Sequence, residues 1–463
     1  MQGCRSNRKM KILIVNPLQV HLVSSKGKIY NRVWSPLSEA NCAALLEKDG
    51  HEVVIVDANA ERLDAAEVAK RSIGFDKIFI TSSTIDRWQC PVIDLNPFLS
   101  CVKALKEIND EVYITGAHGT VRPEEMLALT CVKAVVRGEP ELTVLELCRN
   151  EDLSKVRGIS YKSAGEYIHN KPQELLDLEK LPIPSFHLLP MERYFYEVLG
   201  ENFTLLEASR GCTYRCSFCL LDMYGKKLRV KSSQQMISEL DAVINNFHVK
   251  NAYFMDLEFT INRNLVEAIC DYLISKRYDF KWTCQTRFDL IDEWLLEKMK
   301  RAGCDLIHFG VEAANDKALK ALGKGMTVEK IEAGMKMIRK VKIRSACFFL
   351  MGVLGSTDED MKEIIRFSMK LNPTYALFHI AIPYPGTKFH SDVLGSGALF
   401  SDNNLFPEAY VGEMALNKIK STTRNAYIKY YFRPRYFLSM IRCGHLKYLY
   451  WQIKLFFGFI SRK

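Results

Sequence analysis

The stretch that decides the fold is RGCTYRCSFC, residues 210–219, which places Cys212, Cys216 and Cys219 within eight residues. A structural zinc site closes a shell of four ligands, which usually come as two close pairs. Ferredoxin-type runs supply four cysteines to a cluster. Three thiolates leave one position of a metal centre open, and a substrate or cofactor can bind there. The alternatives are a zinc site completed by a remote histidine, or three unrelated thiols.

The residues after the triplet alternate between strand and helix patterns. The predicted strands are short apolar runs that end in polar or turn residues. They are TLLEAS (204–209), AYFMDLEF (252–259), KWTCQT (281–286), LIHFGVEA (306–313), SACFFLMGV (345–353) and ALFHIAIP (376–383). Six strand–helix units predict a partial (β/α)6 TIM barrel, short of the eight units of a closed barrel. Barrel chemistry lies at the carboxyl ends of the strands, and the triplet directly follows the first strand.

The residues before the triplet form an earlier alternating series. Its predicted strands are KILIVNP (11–17), HEVVIVDAN (51–59), KIFITSST (77–84), EVYITGAHG (111–119) and AVVRGEPE (134–141). This alternation indicates an α/β domain, a flavodoxin-like (Rossmann-like) parallel sheet with helices on both faces. Ligands of such sheets bind beyond the carboxyl ends of the strands. Those ends carry Asn16, Asn59, Ser82, Ser83, Gly116, His118, Gly138 and Glu139. No Gly-x-Gly-x-x-Gly follows the first strand, which argues against a dinucleotide site.

Composition places the chain among folded proteins of a reducing compartment. Most of the fourteen cysteines are scattered singly through apolar runs, as buried thiols are, and only the triplet departs from this pattern. The first nine residues, MQGCRSNRK, lack the apolar segment of a signal peptide. No run reaches the length of about 18 apolar residues that spans a membrane. We therefore expect a cytoplasmic protein, with peripheral attachment to the inner face of the membrane as a hypothesis for its C-terminal region.

The triplet in its barrel context resembles the radical S-adenosylmethionine (SAM) superfamily. The resemblance implies that Cys212, Cys216 and Cys219 hold a 4Fe–4S cluster whose fourth iron chelates the amino and carboxylate groups of SAM. Reductive cleavage of SAM would then yield a 5′-deoxyadenosyl radical. It also implies an electron donor such as flavodoxin or ferredoxin.

Further matches to this superfamily lie at the barrel strand ends. Phe218, before the third cysteine, occupies the position of an aromatic residue that lies against adenine. In MDLEF, Glu258 is the expected partner of the methionyl amine, with Asp256 second. GVEAAND is similar to Gly-Ile-Glu-Ser-Gly-Ser, which makes Gly310 and Glu312 candidate SAM contacts, although Ala313 and Ala314 depart from the pattern. Two further candidate contacts are Arg287, which ends CQTR, and Gly352, which opens a turn similar to Gly-x-Pro-Gly-x-Thr.

The N-terminal domain resembles the cobalamin-binding domain that precedes the barrel in one subgroup of this superfamily. The matching segments are LLEKDGHEVVIVDAN, TGAHGTVRPEEML and VVRGEPELTVLEL. The resemblance makes Asn16, Ser82, Ser83, Gly116, His118, Gly138 and Glu139 candidate cobalamin contacts. The Asp-x-His-x-x-Gly signature is absent, because Val54 stands where the glycine would follow Asp49 and His51. We therefore expect no histidine ligand to cobalt from that motif.

The predicted domains are a cobalamin-binding domain (1–170), a proline-rich linker (171–200), a radical SAM barrel (201–400) and a helical C-terminal region (401–463). The resemblance implies a cobalamin-dependent radical methyltransferase that acts on an unactivated carbon. Two alternatives are an oxidative cyclase or carbon–carbon coupling enzyme without methyl transfer, and a non-catalytic cobalamin or iron–sulfur binding protein. The sequence identifies no catalytic side chain, and the substrate is expected to be a small or lipid-like molecule.

The C-terminal region accounts for the net charge of the chain. Residues 414–463 contain eleven Lys and Arg and no Asp or Glu, and the net charge is +10. Basic residues interleaved with aromatics occur in nucleic-acid-binding segments and in helices that lie on a membrane. LKYLYWQIKLFFGFI (446–460) is more apolar than a nucleic-acid helix requires, which makes nucleic acid the least favoured partner. Membrane attachment and packing on the barrel stay open as alternatives.

Overall fold

The computed structural model describes residues 9–18, 32–83, 94–400, 410–411, 414 and 416–442. The chain folds into two compact units. The first unit takes residues 1–196, 200–211 and 220–251, and the second takes 197–199, 212–219 and 252–463. Because the chain passes between the units more than once, the domain boundaries expected near residues 170, 200 and 400 stay predictions.

The elements up to residue 241 alternate as expected for the first sheet. The strands are β1 (Lys11–Asn16), β2 (Arg32–Val33), β3 (Glu52–Asp57), β4 (Lys77–Thr81), β5 (Val112–Thr115), β6 (Ala134–Val136), β7 (Ile159–Ser163), β8 (Glu166–His169), β9 (Phe195–Tyr196), β10 (Gly200–Glu201), β11 (Phe203–Leu206), β12 (Ser209–Arg210) and β13 (Arg229–Val230). The helices are α1 (Leu37–Lys48), α2 (Ala58–Glu61), α3 (Ala65–Arg71), α4 (Asn96–Lys106), α5 (Ala117–Val121), α6 (Pro123–Thr130), α7 (Pro140–Arg149) and α8 (Ser233–Asp241).

The first sheet has the order β3-β1-β4-β5-β6-β7-β8. Its first five strands are parallel. Counted among themselves they run 2-1-3-4-5, which is the flavodoxin-like order and confirms the predicted fold. Strand β1 is Ile- and Leu-rich, and Ile12, Leu13 and Val15 are fully buried in it. Burial of each such side chain contributes about 1.5–3 kcal/mol. The β7–β8 hairpin, which joins antiparallel, was not predicted.

The elements from residue 251 onward match the predicted barrel units. The strands are β14 (Asn251–Phe254), β15 (Lys281–Thr286), β16 (Cys304–Glu312), β17 (Arg344–Met351), β18 (Tyr375–Ile380), β19 (Leu399–Phe400) and β20 (Tyr410–Val411). The helices are α9 (Arg263–Lys276), α10 (Glu293–Arg301), α11 (Asp316–Ala321), α12 (Val328–Val341), α13 (Asp358–Leu371), α14 (Lys388–Gly395), α15 (Leu416–Tyr431) and α16 (Pro434–Arg442).

The six-stranded sheet runs in sequential order, β11-β14-β15-β16-β17-β18. Strands β15 to β18 pair in parallel, as a barrel of strand–helix units requires. The helices after them begin on capping side chains that accept a backbone N–H. Thr357 caps α13 in a capping box with Asp360, and Thr387 caps α14. Thr357 ends the sequence GST (355–357), and Thr387 ends the sequence PGT (385–387). Each of these segments therefore starts a helix after one of the last two strands.

After the short strand β20, the described part of the C-terminal region is helical, as predicted. Helices α15 and α16 carry it to Arg442. The apolar segment 446–460 lies outside the described residues. Within the residues that the structure describes, no helix is long and apolar enough to cross a membrane.

Candidate cofactor sites

The cysteine triplet lies in a loop after β12 that is held by backbone contacts. The Ser217 N–H donates to the Leu322 carbonyl at 2.9 Å, and the Phe389 N–H donates to the Ser217 carbonyl at 2.8 Å. Gly323 has φ +65°, and a Cβ there would lie 2.7 Å from the Arg215 carbonyl oxygen. Glycine alone permits so close an approach in that conformation. The middle of the loop is therefore fixed from two sides.

The thiols of the triplet are largely shielded from solvent, so a metal centre must displace their protons when it binds. Cys212 is buried, and Cys216 and Cys219 are half-buried. Burial raises the pKa of Cys212 to about 11 and also raises that of Cys216. The described residues contain no group of three His, Cys, Asp or Glu side chains that could hold a single metal ion. Zinc needs its ligands gathered on one ion, at about 2.3 Å for sulfur. A 4Fe–4S cluster distributes its thiolates over separate irons.

Four charged residues that lie close together in the barrel form what we call the charge group: the buried Arg287, Glu312 and Lys324, and the half-buried Glu258. Lys324 Nζ lies 3.3 Å from Glu312 Oε1. A Cβ at Gly310 would overlap both of these side chains, so the glycine makes room for the pair. Burial works against the charge on Lys324, but Glu312 and Cys216 together raise its pKa. Gly310, a predicted SAM contact, therefore leaves the space that the side chains of Glu312 and Lys324 fill.

Glu312 sits in a strained backbone conformation. Its φ is +69°, and the register between β16 and β17 shifts between Gly310 and Glu312. A side chain with a Cβ rarely adopts this region, and holding it there costs on the order of 1–3 kcal/mol. Such strain is concentrated at functional sites. The bulge turns the Glu312 carboxylate toward Lys324.

Glu258 and Arg287 each keep a buried polar atom without a partner in the structure. Burial raises the pKa of Glu258 to about 7, and its Oε2 has no hydrogen bond. Arg287 donates through Nε and Nη2 to Asp289 at 2.8 and 3.0 Å, and its Nη1 has no hydrogen bond. Its guanidinium stacks on Tyr214 at 3.8 Å. Buried polar atoms are normally paired. The methionyl end of SAM offers amino N–H groups to the carboxylate and a carboxylate to the guanidinium, so these residues fit it.

The other predicted SAM residues lie nearby in the fold, but their roles stay predictions. Phe218 packs on an apolar group that includes Ala381, Phe389 and Val393. Gly352 has φ +72°, and a Cβ there would press on Ile419 of α15 at 2.8 Å. The space around Gly352 is therefore filled by the C-terminal region.

The sequence reasoning missed three members of this site. Lys324, Tyr214 and Asp289 emerge only from the structure. Lys324 stands between Gly323 and Gly325, a spacing that signals a tight turn but not a buried cation. Tyr214 and Asp289 lie within three residues of predicted site residues, yet their contacts with Arg287 depend on the tertiary fold.

A row of four rings crosses one face of the barrel sheet. Tyr253, His308, Phe348 and His379 lie on β14, β16, β17 and β18, with successive ring centroids 5.1, 5.7 and 5.5 Å apart. Tyr253 Oη and His308 Nδ1 are 2.5 Å apart. Exposure rises along the row, from the fully buried Tyr253 to the exposed His379. His308 and Gly310 share a face of β16, so the row lies below the charge group.

The carboxyl edge of the first sheet is polar with few charges. Asn16 donates from Nδ2 to Asp57 at 2.8 Å, and Tyr194 donates to the same carboxylate at 2.9 Å. Burial raises the pKa of Asp57 to about 6. Ser82 Oγ and the buried His118 Nδ1 are 3.1 Å apart. A Cβ at Gly116 would lie 2.7 Å from Ser82 Oγ, so Gly116 makes room for this contact.

Two features of this edge fit a large ligand such as cobalamin. Ser83 is buried, and its Oγ has no hydrogen bond in the structure. Gly138 has φ +77°, and a Cβ there would meet only the Met223 carbonyl, at 3.8 Å. Glu139, in contrast, receives hydrogen bonds from Arg229 Nη1 at 2.8 Å and the Leu176 N–H at 2.9 Å. Its carboxylate already has two donors, so its predicted contact with cobalamin gains no support.

His51 lies at the opposite edge of the first sheet. It directly precedes β3, whose carboxyl end is Asp57, and its Nδ1 accepts the Met10 N–H at 3.3 Å. The placement of His51 at an amino end agrees with the expectation that it does not ligate cobalt.

Comparison with known proteins follows the same division of the chain. The Radical SAM superfamily profile matches residues 206–368, and the B12 binding domain profile matches residues 30–148. An uncharacterized methyltransferase of Pyrococcus horikoshii, PH0819, is 31% identical over 93% of this chain and 95% of its own length. The anaerobic magnesium-protoporphyrin IX monomethyl ester cyclase of Rubrivivax gelatinosus is 25% identical over 81% of this chain and 68% of its own length.

A solved structure shares the fold of both parts. The radical SAM methyltransferase TsrM of Kitasatospora setae, solved with cobalamin and a [4Fe-4S] cluster bound, superposes with a TM-score of 0.68. The match covers 85% of this chain and 76% of that chain at 16% identity.

Proposed function

Because this chain belongs to the radical SAM superfamily, in the group that carries an N-terminal B12-binding domain, we propose that it methylates an unactivated carbon of a small-molecule substrate. Its cofactors are a 4Fe–4S cluster, SAM and cobalamin. The cluster with SAM supplies hydrogen-atom abstraction, and cobalamin supplies the methyl group. The observation that carries the proposal is the charge group, in which Glu258 and Arg287 each have a buried polar atom without a hydrogen bond and can therefore bind SAM.

In the barrel, the proposed roles follow from the contacts of each residue. Cys212, Cys216 and Cys219 hold the cluster. Glu258 accepts a hydrogen bond from the amino group of SAM through the oxygen that has no partner, and Arg287 binds the SAM carboxylate through Nη1. Asp289 and Tyr214 orient the guanidinium. Lys324 lowers the pKa of the Cys216 thiol and so favours the thiolate form that binds iron, while burial and Glu312 act in the opposite direction.

In the first sheet, the proposed cobalamin contacts are the neutral polar groups of the carboxyl edge. Ser83 provides a hydroxyl without a partner, Gly138 lets the backbone approach a ligand closely, and Gly116 leaves room for the contact between Ser82 and His118. The β1 and β4 ends flank the point where the strand order reverses, which is where ligands of this fold bind. Asn16 and Ser82 lie at these two ends.

We assign the substrate to the face of the barrel that carries the ring row. Phe348 offers an apolar surface, and the exposed His379 offers a hydrogen-bonding group beside it. This combination suits a lipid-like or cyclic molecule with one polar substituent. A reduced flavodoxin or ferredoxin would supply electrons, and the basic, apolar C-terminal region would bring the enzyme to a membrane that holds such a substrate.

The test is transfer of a labelled methyl group to product. The anaerobically reconstituted enzyme is incubated with cobalamin, a reductant, methyl-deuterated SAM and a small-molecule extract of its source cells. Mass spectrometry should find a product that carries the intact deuterated methyl group, absent with the Cys212→Ala/Cys216→Ala/Cys219→Ala variant. Substrate-dependent formation of 5′-deoxyadenosine without label in any product would instead indicate a cyclase or coupling enzyme.

A further inference from the structure

The last barrel strand has an edge that is closed by tyrosine hydroxyls of the C-terminal region. The Phe378 N–H donates to Tyr427 Oη at 3.0 Å, and that hydroxyl donates to the Phe378 carbonyl at 3.2 Å. Tyr431 repeats the arrangement on Ala376, at 3.0 and 3.1 Å. The two tyrosines are one helical turn apart and meet residues two apart on β18, so they replace the hydrogen bonds of a neighbouring strand. This contact fixes which face of α15 is turned inward.

Helix α16 is anchored to the same part of the barrel. Arg433 donates to the Met369 carbonyl at 2.9 Å and to Asn372 Oδ1 at 2.6 Å. Tyr436 donates to the Thr374 carbonyl at 2.9 Å. Tyr436 and Met440 are buried, which defines the inward face of α16. The alternative that this region packs on the barrel is therefore correct for one face of each helix.

The outward side of this region carries a group of exposed apolar residues, which we call the apolar ridge: Phe432, Leu438 and Ile441. They are 54%, 53% and 53% exposed. The large exposed apolar side chains of the described residues number ten, and three of them fall within residues 432–441. Scattered single exposures need no explanation, but such a concentration marks an interaction surface.

Within residues 414–463, which carry the apolar ridge, the charged side chains have one sign. Lys420, Arg424, Lys429 and Arg435 are exposed on α15 and α16. Residues 414–463 contain no Asp or Glu, and residues 443–463 continue the same mixture of basic, aromatic and aliphatic residues. Apolar side chains flanked only by cations match a surface that is anionic at its headgroups and apolar beneath them. A nucleic acid would meet the cations, but the aliphatic Leu438 and Ile441 cannot stack on bases as aromatic rings do.

We propose that the apolar ridge, with the basic residues around it, docks the enzyme on an anionic lipid membrane. Phe432, Leu438 and Ile441 enter the acyl boundary, and the lysines and arginines contact the headgroups. The proposal deepens the proposed function, because it assigns the lipid-like substrate a place from which the enzyme takes it. Docking itself requires neither cofactor.

The experiment is flotation of the full-length protein with vesicles of phosphatidylcholine, with and without phosphatidylglycerol. The wild type should float only with the anionic vesicles, and added salt should weaken the binding. Leu438→Ser/Ile441→Ser should lower the bound fraction by roughly tenfold or more, because two large apolar side chains leave the acyl boundary. The matched control is Leu129→Ser, which removes a 59% exposed leucine from a helix of the first unit and should bind like the wild type.

Several results would overturn the proposal. Unchanged flotation of the double-serine variant would show that the apolar ridge does not enter the membrane. No flotation of the wild type, combined with self-association or RNA binding that the double-serine variant loses, would assign the ridge to another partner. The Cys212→Ala/Cys216→Ala/Cys219→Ala variant should float like the wild type. Docking without methyl transfer, or methyl transfer without docking, therefore separates this proposal from the proposed function.

Discussion

The carboxyl edges of the two sheets differ in how their polar residues are paired. At the first sheet, Asn16, Ser82 and His118 contact side chains of the same edge. At the barrel, Glu258, Arg287, Glu312 and Lys324 bring four formal charges into the interior, with strained backbone at Glu312. The first edge suits a large ligand held by shape and hydrogen bonds. The second suits a small ionic ligand and reactive chemistry, because buried charge and strain are retained where function requires them.

The largest effect is expected at the cysteine loop of the barrel edge. Cys216→Ala should reduce bound iron and sulfide from about four each to a small fraction, because a 4Fe–4S cluster depends on its thiolates. Iron and sulfide analysis of the anaerobically reconstituted protein measures this directly. Cys131→Ala is the matched control, since Cys131 is an exposed cysteine of the first unit. Equal iron in both variants would contradict the assignment of the triplet.

The next largest effect is expected on stability, where the loss of a buried charge in the second unit is compared with the loss of an exposed one. Lys324→Met leaves the Glu312 carboxylate buried without its cation and should cost about 3–5 kcal/mol of stability. The double variant Lys324→Met/Glu312→Gln should recover much of that loss, because neither charge remains. Thermal unfolding of the apoprotein measures both.

The control for this pair is Lys340→Met. Lys340 forms an ion pair with Glu293 in the same unit, but both side chains are exposed. Its replacement should leave the unfolding temperature unchanged. If Lys324→Met lowers the stability as little as Lys340→Met does, the ion pair between Lys324 and Glu312 is not a buried pair in solution.

A pH effect of intermediate size is expected for SAM binding. The pKa of Glu258 is raised by burial to about 7 in the ligand-free protein. Since the ionised carboxylate accepts the N–H of the SAM amino group and the protonated form does so poorly, affinity should rise with pH, by about tenfold from one unit below that pKa to one unit above. Equilibrium binding to the cluster-loaded enzyme measures the profile. Glu258→Gln should bind SAM weakly, and its affinity should not depend on pH. A variant whose affinity still rises with pH as in the wild type would exclude Glu258 as the partner of the SAM amino group.

The smallest effect is expected at the neutral edge of the first sheet. Ser83→Ala removes one hydroxyl and should weaken cobalamin binding by about 1 kcal/mol, roughly fivefold. His51→Ala, at the amino edge, should change neither the affinity nor the absorption spectrum of the bound cobalt. Titration with hydroxocobalamin measures both variants. A spectrum that depends on His51 would contradict the placement of the site.

The sequence predicted most of the fold because both sheets are parallel and buried. Their strands appear as short apolar runs with turn residues between them, as in KILIVNP and KWTCQT, and the observed strands fall on these runs. The β7–β8 hairpin was missed because YKSAGEYIH is polar, and only antiparallel pairing at the sheet edge makes it a strand pair.

The sequence predicted those residues of the candidate site that belong to a recognisable motif. It missed those that only the tertiary fold brings into contact with the site. The triplet, Glu258 and Glu312 stand at recognisable strand ends. Lys324 comes from a turn after α11, and nothing in GKG shows that its ammonium reaches Glu312. Glu139 lies at a predicted strand end and is engaged by Arg229, a contact that the sequence does not show, and its contact with cobalamin stays a prediction.

The central claim is that this chain uses SAM to methylate through cobalamin, and one measurement tests it without knowledge of the substrate. The enzyme is reconstituted with its cluster and cobalamin, reduced, and incubated with methyl-deuterated SAM. Mass spectrometry of the released cofactor should find methylcobalamin that carries the deuterated methyl group. Cobalamin that stays unlabelled, while the same sample cleaves SAM to 5′-deoxyadenosine, would contradict the claim and leave a radical enzyme without methyl transfer.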